Sequence, residues 1–110
     1  IKYNFDFATA HTTGFYLKKK VYLEIGLYDT NFKCSADYDL YLRMINAKRY
    51  KGESTPKDFV IGEVARGGFS YKTSFIEHLN EEAKIRLKNK HSFTIIVLIY
   101  INALIKKIFK

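Results

Sequence analysis

The chain has 110 residues, of which 47% are hydrophobic and 27% are charged, a balance that excludes a fully disordered chain. Its 19 Lys and Arg against 11 Asp and Glu give a formal charge of +8. The single cysteine excludes an intramolecular disulfide framework and a cysteine-rich zinc site. The start at Ile1 shows no signal-peptide pattern, so we expect a cytoplasmic chain that is a piece of a longer one.

The first half of the chain predicts one strand and two helices. Residues 14–17 are short, aromatic and apolar, which is typical of a strand. Residues 18–25 carry apolar side chains at helical spacing, and Gly26 provides the C-cap. Ser35 is the expected N-cap of a second helix over residues 36–47, whose apolar positions recur at three- and four-residue steps.

The second half predicts one more strand and another helix before the C-terminal segment. Residues 48–58 are polar and form a connection, and residues 59–65 alternate in part as a strand does. Residues 66–70 then form a loop, and residues 74–89 show helical periodicity. Two strands among these helices indicate an α/β fold, but they are too few for a complete sheet of usual size.

The acids of the predicted helix over residues 74–89 lie between its apolar positions. Glu77, Glu81 and Glu82 are therefore expected on a solvated helix face. Glu82 and Arg86 are four residues apart and can form an ion pair.

The positive charge is concentrated in the last quarter of the chain. Residues 1–82 hold 12 Lys and Arg and 11 Asp and Glu, whereas residues 83–110 hold seven Lys and Arg and no acid. Within this basic segment, 13 of the 17 residues from position 93 to 109 are apolar. A basic segment attracts the phosphates of nucleic acid or of anionic lipid. Nucleic acid is disfavoured, because the basic residues flank an apolar run instead of alternating with aromatic ones.

The uncharged part of this run, residues 93–105, is too short to cross a membrane as a helix. Its 13 residues would span roughly 20 Å, against a bilayer core of about 30 Å. Two interpretations stay open at this point. The segment is either a terminal helix packed on the rest of the domain or a helix lying in the plane of an anionic membrane surface.

Chemistry is most strongly indicated where the second predicted helix begins. Asp37 and Asp39 are two residues apart, so on a helix they point about 200° apart and are poorly placed to share a ligand. Asp39 and Arg43 are four apart and can pair as structural support. Asp37 is then the acid available for chemistry, and Asp29 lies in a turn that could hold the preceding loop in place.

Four motifs together resemble the second half of the GT-A domain of family 2 glycosyltransferases, with the bacterial cell-envelope members as the nearest pattern. They are His11-Thr-Thr-Gly-Phe-Tyr-Leu-Lys-Lys, Val21-Tyr-Leu-Glu-Ile-Gly-Leu-Tyr-Asp29, Ser35-Ala-Asp-Tyr-Asp-Leu-Tyr-Leu-Arg43 and Gly67-Gly-Phe-Ser70. The resemblance covers about residues 8–86. It implies a partial GT-A domain, the acceptor-side half, over residues 1–90, followed by a basic apolar helix over residues 91–110.

The resemblance also implies an activity. Many family members carry Glu-Asp at the start of this helix, and the Asp is the catalytic base; here the pair is Ala36-Asp37, so the role falls on Asp37. A positioned carboxylate takes the proton of an acceptor hydroxyl. Single displacement of a nucleoside diphosphate then inverts the anomeric centre. A hexosyltransferase-like enzyme of envelope polysaccharide or lipid-linked glycan synthesis is the expected function, and this chain alone is expected to be incomplete for catalysis.

Substrate contacts and a metal ion follow from the same resemblance. A substrate-binding role is implied for His11, Arg66, Gly67, Gly68 and Ser70. The family uses Mg²⁺ or Mn²⁺ to neutralise the leaving diphosphate, with ligands mainly in an N-terminal half that this chain lacks. Two alternatives stay open for residues 37–39: a metal-binding Asp-x-Asp and simple helix capping.

The expected partners are a nucleotide-diphospho-sugar donor, a glycan or lipid-linked acceptor and an anionic membrane surface, with no nucleic acid. The protein is accordingly expected in the cytoplasm, peripheral to the inner face of the cell membrane. A rival function from another class is a non-catalytic basic module that docks on a membrane or a partner through residues 84–110.

Overall fold

The computed structural model describes residues 14–53 and 55–110, and helices are the regular structure in these ranges. The helices are α1 (Lys19–Ile25), α2 (Ala36–Asn46), α3 (Phe69–Lys72), α4 (Phe75–Lys88) and α5 (Phe93–Ile108). Helix α2 packs against both α1 and α4, and α4 packs in turn against α5. The arrangement is therefore a small helical domain in which α2 and α4 share the centre.

The predicted helices are confirmed, and their ends follow from local chemistry. Helix α1 ends at Gly26, whose φ of 89° is a conformation that glycine adopts without steric cost and whose N–H donates to the Tyr22 carbonyl at 2.9 Å. Helix α4 begins with a capping box in which Ser74 and Glu77 each bond the other's backbone N–H. Glu77 lies on an exposed helix face, as expected, and also closes this capping box.

The core is formed by three consecutive residues of α2, two residues of α4 and one of α5. Leu40, Tyr41 and Leu42 of α2 are buried, and so are Leu79 and Ile85 of α4 and Ile96 of α5. The Phe15 ring extends this core outside the helices by meeting the Tyr41 ring edge-on, with their centroids 4.6 Å apart. Because α2 supplies half of the buried apolar residues, its position is set by packing on both sides.

The predicted α/β class, and with it the partial GT-A fold, is wrong for the part of the chain that the structure describes. Residues 14–17 and 59–65 were the expected strands, but neither forms a strand in the described ranges. A strand needs a neighbour for its backbone N–H and C=O groups, and these two segments do not pair with each other. The Val60 side chain is 78% exposed, so the second segment also lacks a face that packs on a core.

The C-terminal helix is longer than its uncharged core. Helix α5 continues through Lys106 and Lys107 to Ile108, where two cations complement the negative end of the helix dipole. None of the helices in the described ranges combines the length and the apolarity that crossing a bilayer requires.

Candidate active site at the start of helix α2

Asp37 lies in the first turn of α2, as the sequence indicates. Its side chain is half-buried, and its Oδ1 accepts the backbone N–H of Tyr38 at 2.8 Å. This bond uses one of the N–H groups that the start of a helix leaves without an intrahelical partner. The position is typical of an acidic side chain, because the helix dipole attracts negative charge at this end.

Tyr28 lies close enough to Asp37 for the charge of this carboxylate to act on its hydroxyl. The rings of Tyr22 and Tyr28 lie with their centroids 6.2 Å apart and tilted by 51°. The pKa of Tyr28 is raised to about 12, first by burial, then by a hydrogen bond with Tyr22, and further by the charges of Tyr22, Tyr41 and Asp37. Tyr28 is therefore a protonated phenol across the physiological pH range, and its ring and hydroxyl lie within electrostatic reach of Asp37.

Asp39, unlike the half-buried Asp37, is completely buried, and two cations and an amide surround its carboxylate. Its carboxylate accepts from Arg43 Nε at 2.9 Å, from Lys88 Nζ at 3.0 Å and from Asn89 Nδ2 at 3.0 Å. The pair with Arg43 is the one expected from the four-residue spacing. Lys88 and Asn89 come from the end of α4, so the network also ties α4 to α2.

The same network fixes the loop that carries Tyr28. Arg43 donates from Nη1 to the Ile25 carbonyl and from Nη2 to the Leu27 carbonyl, each at 2.6 Å. Further along the loop, Asp29 accepts from Lys88 at 2.8 Å. The hydrogen bond from Lys88 is also the largest cause that lowers the pKa of Asp29. The chain on both sides of Tyr28 is thus anchored to α2 and α4.

Glu81 is a residue of the site that the sequence assigned wrongly to a solvated face. Its Oε1 accepts the backbone N–H groups of Cys34 at 3.0 Å and of Ser35 at 3.2 Å. Ser35 occupies the N-cap position of α2, but its side chain makes no capping hydrogen bond. A carboxylate from α4 therefore binds the two backbone N–H groups that directly precede α2, while the side-chain cap expected from Ser35 is absent. Glu82, by contrast, pairs with Arg86 at 3.3 Å as predicted.

Replacing Glu81 by alanine is expected to lower the free energy of unfolding by about 1–2 kcal/mol, because two backbone N–H groups at the start of α2 lose their acceptor. Urea denaturation of the chain measures this loss. The matched control is Glu63→Ala, which removes an exposed carboxylate from the long connection and should leave the midpoint unchanged. Equal midpoints for the two variants would contradict the capping role.

The predicted substrate-binding loop lies at the surface. Arg66, Gly67, Gly68 and Ser70 are all exposed, and Gly67 has a φ of 87° that favours glycine. The segment is joined to the start of α2 just beyond α3, where Cys34 Sγ donates to Thr73 Oγ1 at 3.3 Å. His11, the remaining predicted substrate-binding residue, lies outside the described residues.

The metal-binding alternative for residues 37–39 finds no support in this geometry. Asp39 is engaged by three cationic or amide donors, and Asp37 lies on another side of the helix turn. In the described part of the chain no group of three or more His, Cys, Asp or Glu is arranged to hold a metal ion. The residues present here therefore do not fit a divalent cation.

The arrangement as a whole places one half-buried carboxylate, Asp37, within electrostatic reach of Tyr28. The helix start that carries it is fixed by the buried ion-pair network of Asp39. Such a carboxylate can accept a proton from a bound hydroxyl, and the flat rings can cover the apolar faces of a small polar molecule.

No protein-family model, curated protein or solved structure matches this chain.

Proposed function

We propose that this protein takes part in inverting glycosyl transfer, in which a sugar moves from a nucleotide-diphospho-sugar to an acceptor hydroxyl with Asp37 as the general base. The observation that carries the proposal is the position of Asp37: half-buried, at a helix start, and near enough to Tyr28 for its charge to act on that hydroxyl. The motifs that resemble family 2 glycosyltransferases support the same assignment, since their base falls on this residue.

The chemistry requires one proton acceptor on the acceptor side. Asp37 takes the proton of the acceptor hydroxyl, and the oxygen attacks the anomeric carbon of the donor sugar. The bond from that carbon to the diphosphate oxygen breaks as the new bond forms, and the nucleoside diphosphate leaves with the electron pair. Because attack and departure occur on opposite faces, the anomeric configuration inverts.

The tyrosines beside Asp37 fit an acceptor sugar. A pyranose ring has apolar C–H faces and polar hydroxyl edges, and an aromatic ring with a phenol hydroxyl offers surfaces to both. Tyr28 keeps its proton because its pKa is raised to about 12 by burial and by its neighbours, so it can donate to a sugar hydroxyl. The ion-pair network around Asp39 would keep this ring and the base at a fixed separation.

The remaining residues of the proposed site would contact the donor. Arg66, in its glycine-rich loop, is a permanently charged cation suited to the donor phosphates, and His11 is a second proposed contact. The reaction would use Mg²⁺ or Mn²⁺ on the donor diphosphate, and the described residues supply no cluster for that ion. The proposed role of this chain is therefore the acceptor side of the reaction.

The proposed setting is the inner face of the cell membrane, where envelope polysaccharides and lipid-linked glycans receive nucleotide-activated sugars. A lipid-linked acceptor would bring the reacting hydroxyl to a protein at that surface. The rival function, a docking module without catalysis, is favoured by a separate observation, the exposed apolar side of α5.

The test is a transfer assay on the natural protein that contains this sequence, with labelled uridine- and guanosine-diphospho-hexoses as donors and a membrane lipid extract as acceptor. Formation of labelled glycolipid or polysaccharide supports transfer. Membrane association without turnover of any donor would instead favour the docking module and overturn the proposal.

Tyr28→Ala is expected to raise the KM for the acceptor about tenfold, because a ring face that contacts the sugar is worth about 1 kcal/mol or slightly more. Tyr28→Phe keeps the ring and should lose little. Phe59→Ala removes an exposed ring from the long connection and serves as the control. An unchanged acceptor KM in Tyr28→Ala would show that this ring does not contact the acceptor.

A further inference from the structure

Helix α5 has two sides, and only one of them packs on the domain. The packed side carries Ile96, which is buried, together with the half-buried Ile99, Tyr100 and Ala103. Tyr100 also donates its hydroxyl to Asn80 of α4 at 2.6 Å. These contacts fix the rotation of α5 about its own axis, so its remaining side faces outward.

The outward side of α5 is mostly apolar, and its exceptions are the exposed, uncharged Thr94 and Asn102. At 100° per residue, Val97, Ile101, Ile105 and Ile108 fall on one row, and flanking residues widen it. Leu98 is 61% exposed and Phe109 is 83% exposed. The exposed face, named here the α5 face, consists of Phe93, Val97, Leu98, Ile101, Ile105, Ile108 and Phe109.

The charges around the α5 face have one sign. Residues 83–110 contain seven Lys and Arg and no Asp or Glu. By the same helical geometry, Lys106 lies between the α5 face and the packed side at the C-terminal end, whereas Lys107 lies on the packed side. The Nζ of Lys107 accordingly lies over the Phe75 ring of α4, 5.5 Å from the ring centroid.

We propose that the α5 face docks on an anionic lipid bilayer, with the helix lying in the plane of the surface. Its apolar side chains would enter the boundary between headgroups and acyl chains, while the exposed lysines at its C-terminal end contact the lipid phosphates. This proposal goes beyond glycosyl transfer and does not depend on it.

Charge decides between the bilayer and a second copy of the chain. Two copies joined through their α5 faces would bring together two helices that carry lysines and no acid, which is repulsive. An anionic bilayer neutralises the same lysines, and each lysine near such a surface strengthens binding by about fivefold. An anionic bilayer would thus contact both the apolar side chains and the lysines of α5.

The test uses co-sedimentation of the natural protein with phosphatidylcholine vesicles that either contain or lack phosphatidylglycerol. We expect binding to the anionic vesicles that weakens with added salt. Ile101→Asp places a charge within the α5 face and should weaken binding by at least about tenfold. Lys106→Glu removes a cation and adds an anion, which should weaken it by about 25-fold.

Two controls make the same charge changes elsewhere on the surface. Val60→Asp and Lys51→Glu lie in the exposed connection between α2 and α3, and both should bind as the parent does. Asp37→Asn should also bind normally, so a failure of catalysis and a failure of docking are distinguishable. Circular dichroism confirms that each variant keeps its helices.

Three outcomes would overturn the proposal. Binding that does not depend on phosphatidylglycerol would remove the role of charge. Equal loss in Ile101→Asp and Val60→Asp would remove the role of the α5 face. The third outcome is a parent protein that does not bind vesicles, combined with either of two effects of Ile101→Asp: dissociation of a dimer or a strongly lowered unfolding midpoint. It would show that protein covers the face instead of lipid.

Discussion

Replacing Asp37 by asparagine should lower the rate of sugar transfer by about 10²–10⁴-fold, which is the usual contribution of a general base. The amide of asparagine has nearly the shape of the carboxylate, and its oxygen can still accept the Tyr38 N–H at the start of α2. The variant should therefore fold and bind the acceptor. What it loses is the ability to take a proton from the attacking hydroxyl.

The kinetic pattern separates this loss from a defect in binding. We expect the fall in kcat with little change in the KM of donor or acceptor, because the base acts as the transition state forms. Asp58→Asn makes the same substitution at an exposed position in the long connection and should keep parental rates. Retained turnover in Asp37→Asn, or a rise in KM alone, would refute the assignment of the base.

Replacing Asp39 by alanine should be the most destabilising single change near the site. Its carboxylate is 0% exposed and is the shared acceptor of Arg43 and Lys88, so its removal leaves two cations around a buried cavity. Breaking a buried pair from one side typically costs about 3–5 kcal/mol. Here we expect about 3 kcal/mol, because Lys88 keeps Asp29 and is itself partly exposed.

Urea denaturation of the chain measures the effect of Asp39→Ala on the free energy of unfolding. Asp58→Ala is the control and should change it by less than about 0.5 kcal/mol, as surface substitutions usually do. In an activity assay Asp39→Ala should also raise the acceptor KM at temperatures where it stays folded, since the loop that carries Tyr28 loses its anchor. A stability equal to that of Asp58→Ala would contradict the proposed network.

The helices were predictable from sequence because their signals are local. The apolar rows of α2 and α4, the glycine after α1 and the Ser74–Glu77 box each depend on residues within a few positions of one another. Asp37 at a helix start and the Asp39–Arg43 pair follow from the same short spacing. These parts of the candidate site needed no knowledge of tertiary structure.

Contacts between distant segments were not predictable in this way. Glu81 binds the backbone of Cys34 and Ser35 from 47 and 46 positions away, and Lys88 binds Asp39 across 49 positions. Nothing in the local pattern distinguishes these two residues from solvated charges. The prediction of strands at residues 14–17 and 59–65 was wrong for a related reason. A strand is stabilised by its neighbour in a sheet, and composition alone does not say whether a partner strand is present.

The most direct measurement of the central claim is the anomeric configuration of the product. The natural protein is incubated with labelled nucleotide-diphospho-hexoses and a membrane lipid extract, and the new glycosidic bond is examined by NMR. The account predicts an inverted product, formed by the parent and by Asp58→Asn but not by Asp37→Asn. A product of retained configuration, or equal product from the Asp37→Asn variant, would contradict it.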